Sequence, residues 1–587
     1  MKDHKNMQMI RDLMFRLLPV QVLLATIPAV NGFVSSYFAT NYVGIDAMSA
    51  VGLFGPISML LGSVATMIAG GAMILCGKYL GANDKKKLQE IFSLDLLISI
   101  LTTIVFTIVL LAMCLFDWTI VFTKDDVIRP IFNRYILGQI IGFLPQVLSN
   151  QLPGFLTMEN KGRRTMVASI VYIAVNIILN YVFVQILHME EFGLALSSSL
   201  GMWVFLAVQA EYYFHKDSML KLSLKGASLK NVLPIIQIGF PGAASNIYQT
   251  IRGLITNKLL EVYVGSVGLS AHAAAGNIMN IFWSLPAGML AVSRLLISVS
   301  YGEEDKQTLT DIMRVTFRYF IPMMCVTIAG IVLGAGPLTY IFFKDTASTV
   351  YAMCANGLRM LPLCMPFSII LMHFTCYAQV ANKQAYVNIL ALLDGVVFVA
   401  GFSVLLVPSM GVDGVYIANV LNGIGTTIYI VAYAWIMNKH MPKNMEELMV
   451  IDKHFGADEK DRIDISVRSM EEVIAVSQQV QAFCLEKGVD KKRAYLAGLA
   501  MEEMAGNIVD HGFTKDKKKH SIDIRVTYRD DKTILRIKDD CVPFDPKVRS
   551  AAQDDPAKNI GIRMIYKIMK DIDYQNMLGL NVLTIRI

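Results

Sequence analysis

Near the C-terminal end of the chain, three side chains have types and spacing that suit phosphate chemistry. Glu503, Asn507 and His511 lie four residues apart, so a helix would present them on one face. An amide oxygen can bind Mg²⁺, and a carboxylate can accept a proton from an attacking hydroxyl group. Because charged helix faces are often only solvated, the triplet indicates a metal–phosphate site only if neighbouring elements support it.

A second group of residues supports such a site. Residues 539–546 (DDCVPFDP) follow a predicted strand, and residues 559–564 (NIGIRM) begin a predicted helix whose free backbone N–H groups suit a phosphate. The periodicities around them predict a helix layer on a mixed or antiparallel sheet. The predicted strands span 461–468, 521–529, 532–539, 572–577 and 580–587, and the predicted helices span 470–487, 490–512 and 560–571.

In this order, the segments resemble the N, G1 and G2 boxes of the GHKL ATPases, and in particular those of the anti-sigma-factor serine kinases. A closing run at 579–584 (GLNVLT) extends the resemblance to about residues 460–587. The resemblance implies ATP and Mg²⁺ as cofactors, with Glu503 as general base and Asn507 as Mg²⁺ ligand. The other ATP contacts that it implies are His511, Asp539 with Thr584 at the adenine, Phe544, Asn559 and Gly561.

The sequence departs from this family pattern at Cys541, Lys558 and Asn559, where the boxes have glycines. Glycine allows positive φ and close backbone approach, which other residues adopt less readily. We expect nucleotide binding, and two alternatives stay open for the domain. It turns over ATP as a serine kinase or ATPase, or it has kept the fold as a protein-docking module.

Composition separates this domain from the rest of the chain. The 587 residues are 54% hydrophobic and 17% charged, whereas ordinary soluble domains are roughly 25% charged. Residues 446–587 hold 49 of the 100 charged residues. These values exclude a single soluble globule and a disordered chain. The net charge of +6 belongs to the loops of the apolar part, so it does not indicate a nucleic-acid partner.

Twelve apolar stretches precede residue 440, each close to the roughly 20 residues that a bilayer requires. They lie near 13–40, 49–77, 91–117, 131–157, 165–187, 193–214, 232–263, 270–300, 314–334, 351–379, 385–407 and 413–437. Loops after even-numbered stretches carry most of the Lys and Arg of the first half. The positive-inside tendency therefore predicts a multi-pass protein of a bacterial inner membrane with both termini in the cytoplasm.

The apolar part repeats itself at an offset of 221 residues. Gly44 matches Gly265 and Asp84 matches Asp305, among other positions. Because the repeating unit holds six stretches, we expect two lobes related by an axis along the membrane normal. The predicted fold is an all-α bundle of twelve transmembrane helices in two six-helix repeats, followed by an α+β GHKL-type sandwich. The predicted domains are two lobes (1–220 and 221–440), a linker (441–458) and the ATP-binding domain (459–587).

Residues 41–53, Pro56 and residues 77–84 resemble the first two helices of MATE-type multidrug exporters, and residues 238–241 (IGFP) resemble the start of their seventh helix. The resemblance covers about residues 10–440 and includes the related flippases. It implies alternating access and the export of organic, often cationic, compounds in exchange for H⁺ or Na⁺.

Several membrane residues are candidates for transport. Ser35 and Ser245 stand where many family members have acids, which leaves the usual ion coupling in doubt. The polar neighbours Asn31 and Gln249 either contact substrate or bond between helices. Asp394 is expected near mid-membrane, as a coupling or cation site or as a structural carboxylate. His373 is the other titratable candidate, with packing as the alternative role.

The sequence thus predicts a secondary transporter of small organic compounds in a lipid bilayer, with a fused cytoplasmic ATP-binding domain that regulates it. The alternatives are a membrane-tethered serine kinase or sensor and a flippase for lipid-linked saccharides. A kinase would have a small cytoplasmic regulatory protein, of the anti-anti-sigma type, as its partner.

Overall fold

The first 440 residues form long helices, as their apolar stretches predict. The computed structural model describes residues 3–215, 218–223, 228–513, 520–529, 531–543, 545–547, 560–569 and 571–587. Its membrane helices are α1 Asp3–Phe38, α2 Ile45–Gly81, α3 Lys85–Leu115, α4 Ile128–Met158, α5 Gly162–Asn180, α6 Glu190–Ala210, α7 Val232–Tyr263, α8 Ser266–Gly302, α9 Lys306–Val315, α10 Ile321–Leu333, α11 Ala335–Tyr340, α12 Thr349–Met360, α13 Met365–Val380, α14 Gln384–Leu392, α15 Phe398–Met410 and α16 Val412–Asn438. Short π or 3-10 turns connect several of them into longer spans.

Ten helical spans of the described chain are long and apolar enough to cross a membrane. They coincide with ten of the twelve predicted stretches. The other two stretches form α4 and α7, which are 31 and 32 residues long but richer in polar side chains. The fold class is confirmed, whereas the count of twelve membrane-spanning helices is not.

The repeat in the sequence appears as matching backbone features. Gly44 and Gly265, both with positive φ, precede α2 and α8. Asp84 and Asp305 cap α3 and α9, where each carboxylate accepts a hydrogen bond from a backbone N–H three residues ahead, at 3.0 and 2.9 Å. An acceptor at this position satisfies a free N–H group of the first helical turn.

The two lobes meet closely where α2 and α8 end. A Cβ added to Gly81 would collide with the carbonyl of Val299, and one added to Gly302 would collide with the carbonyl of Lys78. Gly81 and Lys78 of the first lobe are equivalent to Gly302 and Val299 of the second at the 221-residue offset, so the two contacts are equivalent to each other. A two-fold relation between the lobes requires this reciprocity. Only glycine at these positions allows the backbones to approach so closely.

The C-terminal domain is a helix layer on one antiparallel sheet. The strands are β1 Arg462–Val467, β2 Ile522–Arg529, β3 Lys532–Asp539, β4 Asp571–Met577 and β5 Leu580–Arg586, in the order β1-β2-β3-β5-β4. The helices are α18 Met470–Glu486, α19 Lys491–Asn507 and α20 Ile560–Ile568, and α17 Met445–Met449 lies in the segment before them. Every strand pair is antiparallel, and the predicted elements agree with these bounds to within a few residues.

Alternate residues of each strand point to different neighbours. One face packs under the helices, through side chains such as Ile524, Ile537 and Leu583. The other face packs on the membrane helices, and Met577 and Val582 belong to the same apolar core as α8 and α9. The sheet is therefore buried on both sides, by its own helices and by the transmembrane part.

We expect Gly302→Ala to force α2 and α8 apart, because the new methyl group would collide with backbone that cannot rotate away. Hydrogen–deuterium exchange of residues 295–305 in the detergent-solubilised chain should become at least about five-fold faster. Gly330→Ala on α10 is the control, since a Cβ there meets no atom within 4 Å. Equal exchange in the two variants would contradict the proposed contact.

Candidate functional site

Glu503 and Asn507 lie one turn apart at the end of α19, as predicted. The Asn507 side-chain amide donates a hydrogen bond to the Glu503 carbonyl at 2.5 Å, which leaves the amide oxygen directed away from the helix backbone. Glu502, the neighbouring carboxylate, instead accepts a hydrogen bond from Ser477 Oγ at 2.8 Å. Of this acidic pair, Glu503 is thus the one available to a ligand.

Gly561 allows the first turn of α20 to approach Glu503. A Cβ at Gly561 would collide with the Glu503 carboxylate, so a larger residue there would displace that side chain. The start of a helix carries free N–H groups and partial positive charge, which suit phosphate oxygens. The sequence prediction that brings these two segments to one place therefore has a geometric basis. Phe544 and Asn559, two further predicted contacts, lie outside the described residues.

His511 lies beyond the α-helical part of α19, one turn after Asn507. The α-helix ends at Asn507 and continues as a π-turn over Ile508–Gly512, where His511 is exposed to solvent. The wider π-turn alters the phase of the last step by a fraction of a turn, so His511 stays on the side of the helix that carries Glu503 and Asn507. Its role as an ATP contact stays a prediction.

Asp539, the predicted adenine contact, is buried at the end of β3. Its carboxylate accepts hydrogen bonds from Asn581 Nδ2 at 2.7 Å and from the Cys541 backbone N–H at 3.0 Å. Burial raises the pKa of Asp539, although these hydrogen bonds oppose that shift. Asn581 is in turn held by Tyr574, whose hydroxyl donates to Asn581 Oδ1 at 2.7 Å. The carboxylate is thus fixed in orientation, as recognition of a base edge requires.

Thr584 lies on the opposite face of the sheet from Asp539. In the antiparallel register Asp539 pairs with Asn581, whereas Thr584 pairs with Arg536. Because side chains alternate along a strand, Thr584 faces the membrane helices with Arg536. Thr584 is therefore not placed to support Asp539 as predicted, and the residue that hydrogen bonds with Asp539 is Asn581, three residues earlier.

Sequence reasoning also missed a cluster beside the G1 segment. His520 Nδ1 lies 2.8 Å from Asp540 Oδ1, and Cys541 is close enough for the three side chains to share a metal ion. Twenty residues separate His520 from Asp540, so no short spacing in the sequence indicates this cluster.

A cavity of about 740 Å³ lies in the C-terminal lobe, between α7, α8, α13 and α16. Three of the predicted transport residues, Ser245, Gln249 and Asp394, line it. Asn422 donates a hydrogen bond to Asp394 at 2.8 Å, which holds the carboxylate against α16. The volume is within the range of small-molecule sites.

The other predicted transport residues lie elsewhere. His373 is fully buried, 2.7 Å from the Ile369 carbonyl and 2.9 Å from Ser293 Oγ, and is not part of the cavity lining; this arrangement fits the packing role. In the N-terminal lobe Asn31 accepts a hydrogen bond from Ser198 at 3.3 Å, and Ser35 is buried.

Comparison with known proteins identifies both parts of the chain. Residues 26–182 and 241–405 match the MatE family model, and together they make up more than half of the sequence. The chain belongs to the MATE family. Residues 467–587 match the model of the histidine kinase-like ATPase domain, so this MATE protein carries a fused ATPase-type domain.

Its relatives and structural neighbours are distant. Multidrug export protein MepA of Staphylococcus saprophyticus is 21% identical over 63% of this chain and 81% of its own length. Probable multidrug resistance protein NorM of Bacillus subtilis is 23% identical over 29% of this chain and 39% of its own length. An outward-facing MATE transporter structure aligns with a TM-score of 0.68 and 20% identity, over 77% of this chain and 100% of that one.

The ATPase-type domain rests on the MATE fold through charged pairs. Arg525 pairs with Asp305, both almost fully buried, and Lys538 Nζ lies 2.5 Å from Glu303. Burial alone would raise the pKa of Asp305, but the positive charge of Arg525, followed by that of Lys538, holds this pKa well below its usual range. The same contact contains Asp523, and burial raises the pKa of this carboxyl to about 6.

We expect Asp523→Asn to stabilise the folded chain in a pH-dependent way. A raised pKa means that the folded state disfavours the ionised carboxylate, so wild-type stability is lost as the pH rises from about 4 to about 6. The gain in apparent melting temperature should grow over that interval and stay constant above it. Asp571→Asn, at an exposed strand end, should show no such profile. A pH-independent difference for Asp523→Asn would contradict the assignment.

Proposed function

We propose that this MATE protein is an alternating-access exporter whose ATPase-type domain controls the closure of the membrane end on which it sits. The observation that carries the proposal is the domain's contact with both lobes at their equivalent loops. These loops follow Gly81 and Gly302 directly, so they separate whenever α2 and α8 separate.

The contacts with the C-terminal lobe are ionic. Glu303, Glu304 and Asp305 between α8 and α9 meet basic residues of β2 and β3, and Arg529 Nη1 lies 2.6 Å from Glu304 Oε2. Pairs as buried as Arg525–Asp305 are held together because removing one partner leaves an uncompensated charge, which costs about 3–5 kcal/mol. The acidic loop and the basic sheet face therefore stay together while the lobes are closed.

The contacts with the N-terminal lobe lie at the other edge of the sheet. Lys85 Nζ is 2.7 Å from Asp573 Oδ1, and Gln575 hydrogen bonds with Asn83. The Leu578 backbone joins this contact, because its N–H donates to the Met158 carbonyl at 3.1 Å and its carbonyl accepts from Arg16 at 2.8 Å. One rigid sheet thus bridges the two lobes.

The nucleotide site and the docking face share a strand. Lys538 and Asp539 are consecutive in β3, so the first points to Glu303 and the second to the adenine position. A shift of β3 on nucleotide binding would therefore move the ion pair with the membrane part. Coupling of this kind needs no long pathway, because the two sites lie on opposite faces of the same strand.

The linker supports the same arrangement. Lys383 Nζ donates to the Met449 and Val450 carbonyls, and Phe455 stacks on Tyr301 with ring centroids 4.6 Å apart. The segment is thus packed along the C-terminal lobe. The basic loops of the sequence favour cytoplasmic termini in a bacterial inner membrane, and the domain attached through this linker is then cytoplasmic as well. The proposed transport is the export of organic compounds in exchange for H⁺ or Na⁺.

We expect Asn507→Ala to lose Mg·ATP binding and Glu503→Gln to keep binding but lose turnover, since one supplies the Mg²⁺ ligand and the other the base. Binding and phosphate release are measured on the full chain in detergent. Glu502→Gln is the control, because that carboxylate bonds to Ser477 instead. Turnover in Glu503→Gln equal to wild type would remove the enzymatic role. Phosphate transfer to a small serine-containing protein would add a kinase function.

We expect Asp305→Asn to loosen the docked domain, because Arg525 then lacks its buried partner. Hydrogen exchange of residues 299–306 and 522–529 should accelerate at least ten-fold. In the wild type, Mg·ATP should change exchange of 299–306, and Asn507→Ala should abolish that change. Glu261→Gln, in an exposed pair with Lys258, serves as control. No response of 299–306 to Mg·ATP, with binding intact, would overturn the proposed control.

A further inference from the structure

We propose that the cavity of the C-terminal lobe binds organic anions, in contrast to the cations that the family resemblance implies. This inference rests on the proposed transport function and names the class of its substrate. The cavity lining contains two guanidinium groups, Arg252 and Arg294. Among its described lining residues, Asp394 is the one carboxylate.

The charges within the cavity are not evenly matched. Asp394 interacts electrostatically with Arg252 and accepts a hydrogen bond from Asn422. Arg294 has no ion pair among the described residues, and its Nε atom is buried without a hydrogen-bond partner. A guanidinium without an ion pair is costly within the membrane, so it is expected to meet an anion or to serve a function.

The position of Arg294 favours a ligand over a structural partner. It lies on α8 eight residues before Gly302, about 12 Å along the helix from the closed end of the two lobes. Its hydrogen-bond partner on α13 is the thiol of Cys376, which is neutral when protonated and so does not balance the guanidinium charge. A carboxylate, sulfonate or phosphate group in the cavity would supply the acceptor oxygens that match a guanidinium geometrically.

The rest of the lining specifies an organic ligand. Met279, Trp283, Leu290 and Met372 contribute apolar surface between the two arginines. An inorganic anion would leave this surface without contact. An amphiphilic anion, with an acidic group at Arg294 and an apolar body along the helices, would use both parts of the wall.

The repeat gives an internal comparison. The N-terminal counterparts of Arg252 and Arg294, 221 residues earlier, are Asn31 and Met73, neither of which is charged. At these two pairs of equivalent positions, the positive charge is therefore found in the C-terminal lobe. The first lobe packs with uncharged residues at these positions, so packing alone does not require the two arginines of the second lobe.

The experiment compares two naphthalene probes of equal size, one a sulfonate and one a trimethylammonium, binding to the full chain in a neutral detergent. Quenching of tryptophan fluorescence reports binding, since Trp283 lines the cavity. We expect the sulfonate to bind at least ten-fold more tightly than the ammonium probe. Arg294→Gln should weaken sulfonate binding at least ten-fold, and Arg294→Lys should recover part of it.

Lys258→Gln is the matched control, because this exposed residue shares α7 with Arg252 but pairs with Glu261. Unchanged melting temperatures of the variants exclude a folding defect. Competition by phosphatidylglycerol would identify a lipid headgroup as the source of the anion. Tighter binding of the ammonium probe, unaltered sulfonate affinity in Arg294→Gln, or no saturable binding of either probe would overturn the proposal. The response of hydrogen exchange in residues 299–306 to Mg·ATP is measured independently of probe binding. A failure of the proposed regulation can therefore be told apart from a failure of anion binding.

Discussion

The close approach of α2 and α8 at Gly81 and Gly302 is the constraint on which the rest of the structure depends. Because no side chain separates the two backbones there, the loops that follow them come within reach of a single small domain. The acidic loop at 303–305 and the polar loop at 83–85 then form one platform for the sheet.

The platform differs between the repeats in a way that the docked domain explains. Glu303, Glu304 and Asp305 of the second lobe correspond to Ala82, Asn83 and Asp84 of the first, and of the three lysines at 85–87 only Lys85 has a basic counterpart, Lys306. The positive-inside tendency favours basic residues at both of these turns. The acidic residues instead face Arg525, Arg529 and Lys538 of the sheet. Charge complementarity with the domain thus replaces the topological signal in the second lobe.

The sequence allowed much of the fold to be predicted, because apolar length, strand alternation and the 221-residue repeat are local or periodic signals. It also located Glu503, Asn507, Asp539 and Gly561, which lie in short motifs. The role of Thr584 failed for a local reason, because strand alternation turned the threonine to the other face. Arg294 and the docking face were missed because their meaning depends on distant segments that no spacing reveals.

The strand order has a mechanical consequence. The second lobe is held by β2 and β3 and the first lobe by β4, and β5 lies between them. Neighbouring strands are about 4.8 Å apart, so the two to three steps between these contacts fix a separation of about 10–14 Å. Hydrogen bonds run across the strands, in the direction in which the lobes would pull. The sheet therefore acts as a spacer of fixed width, and the two lobes can move farther apart only after one edge of the sheet loses its contact with a lobe.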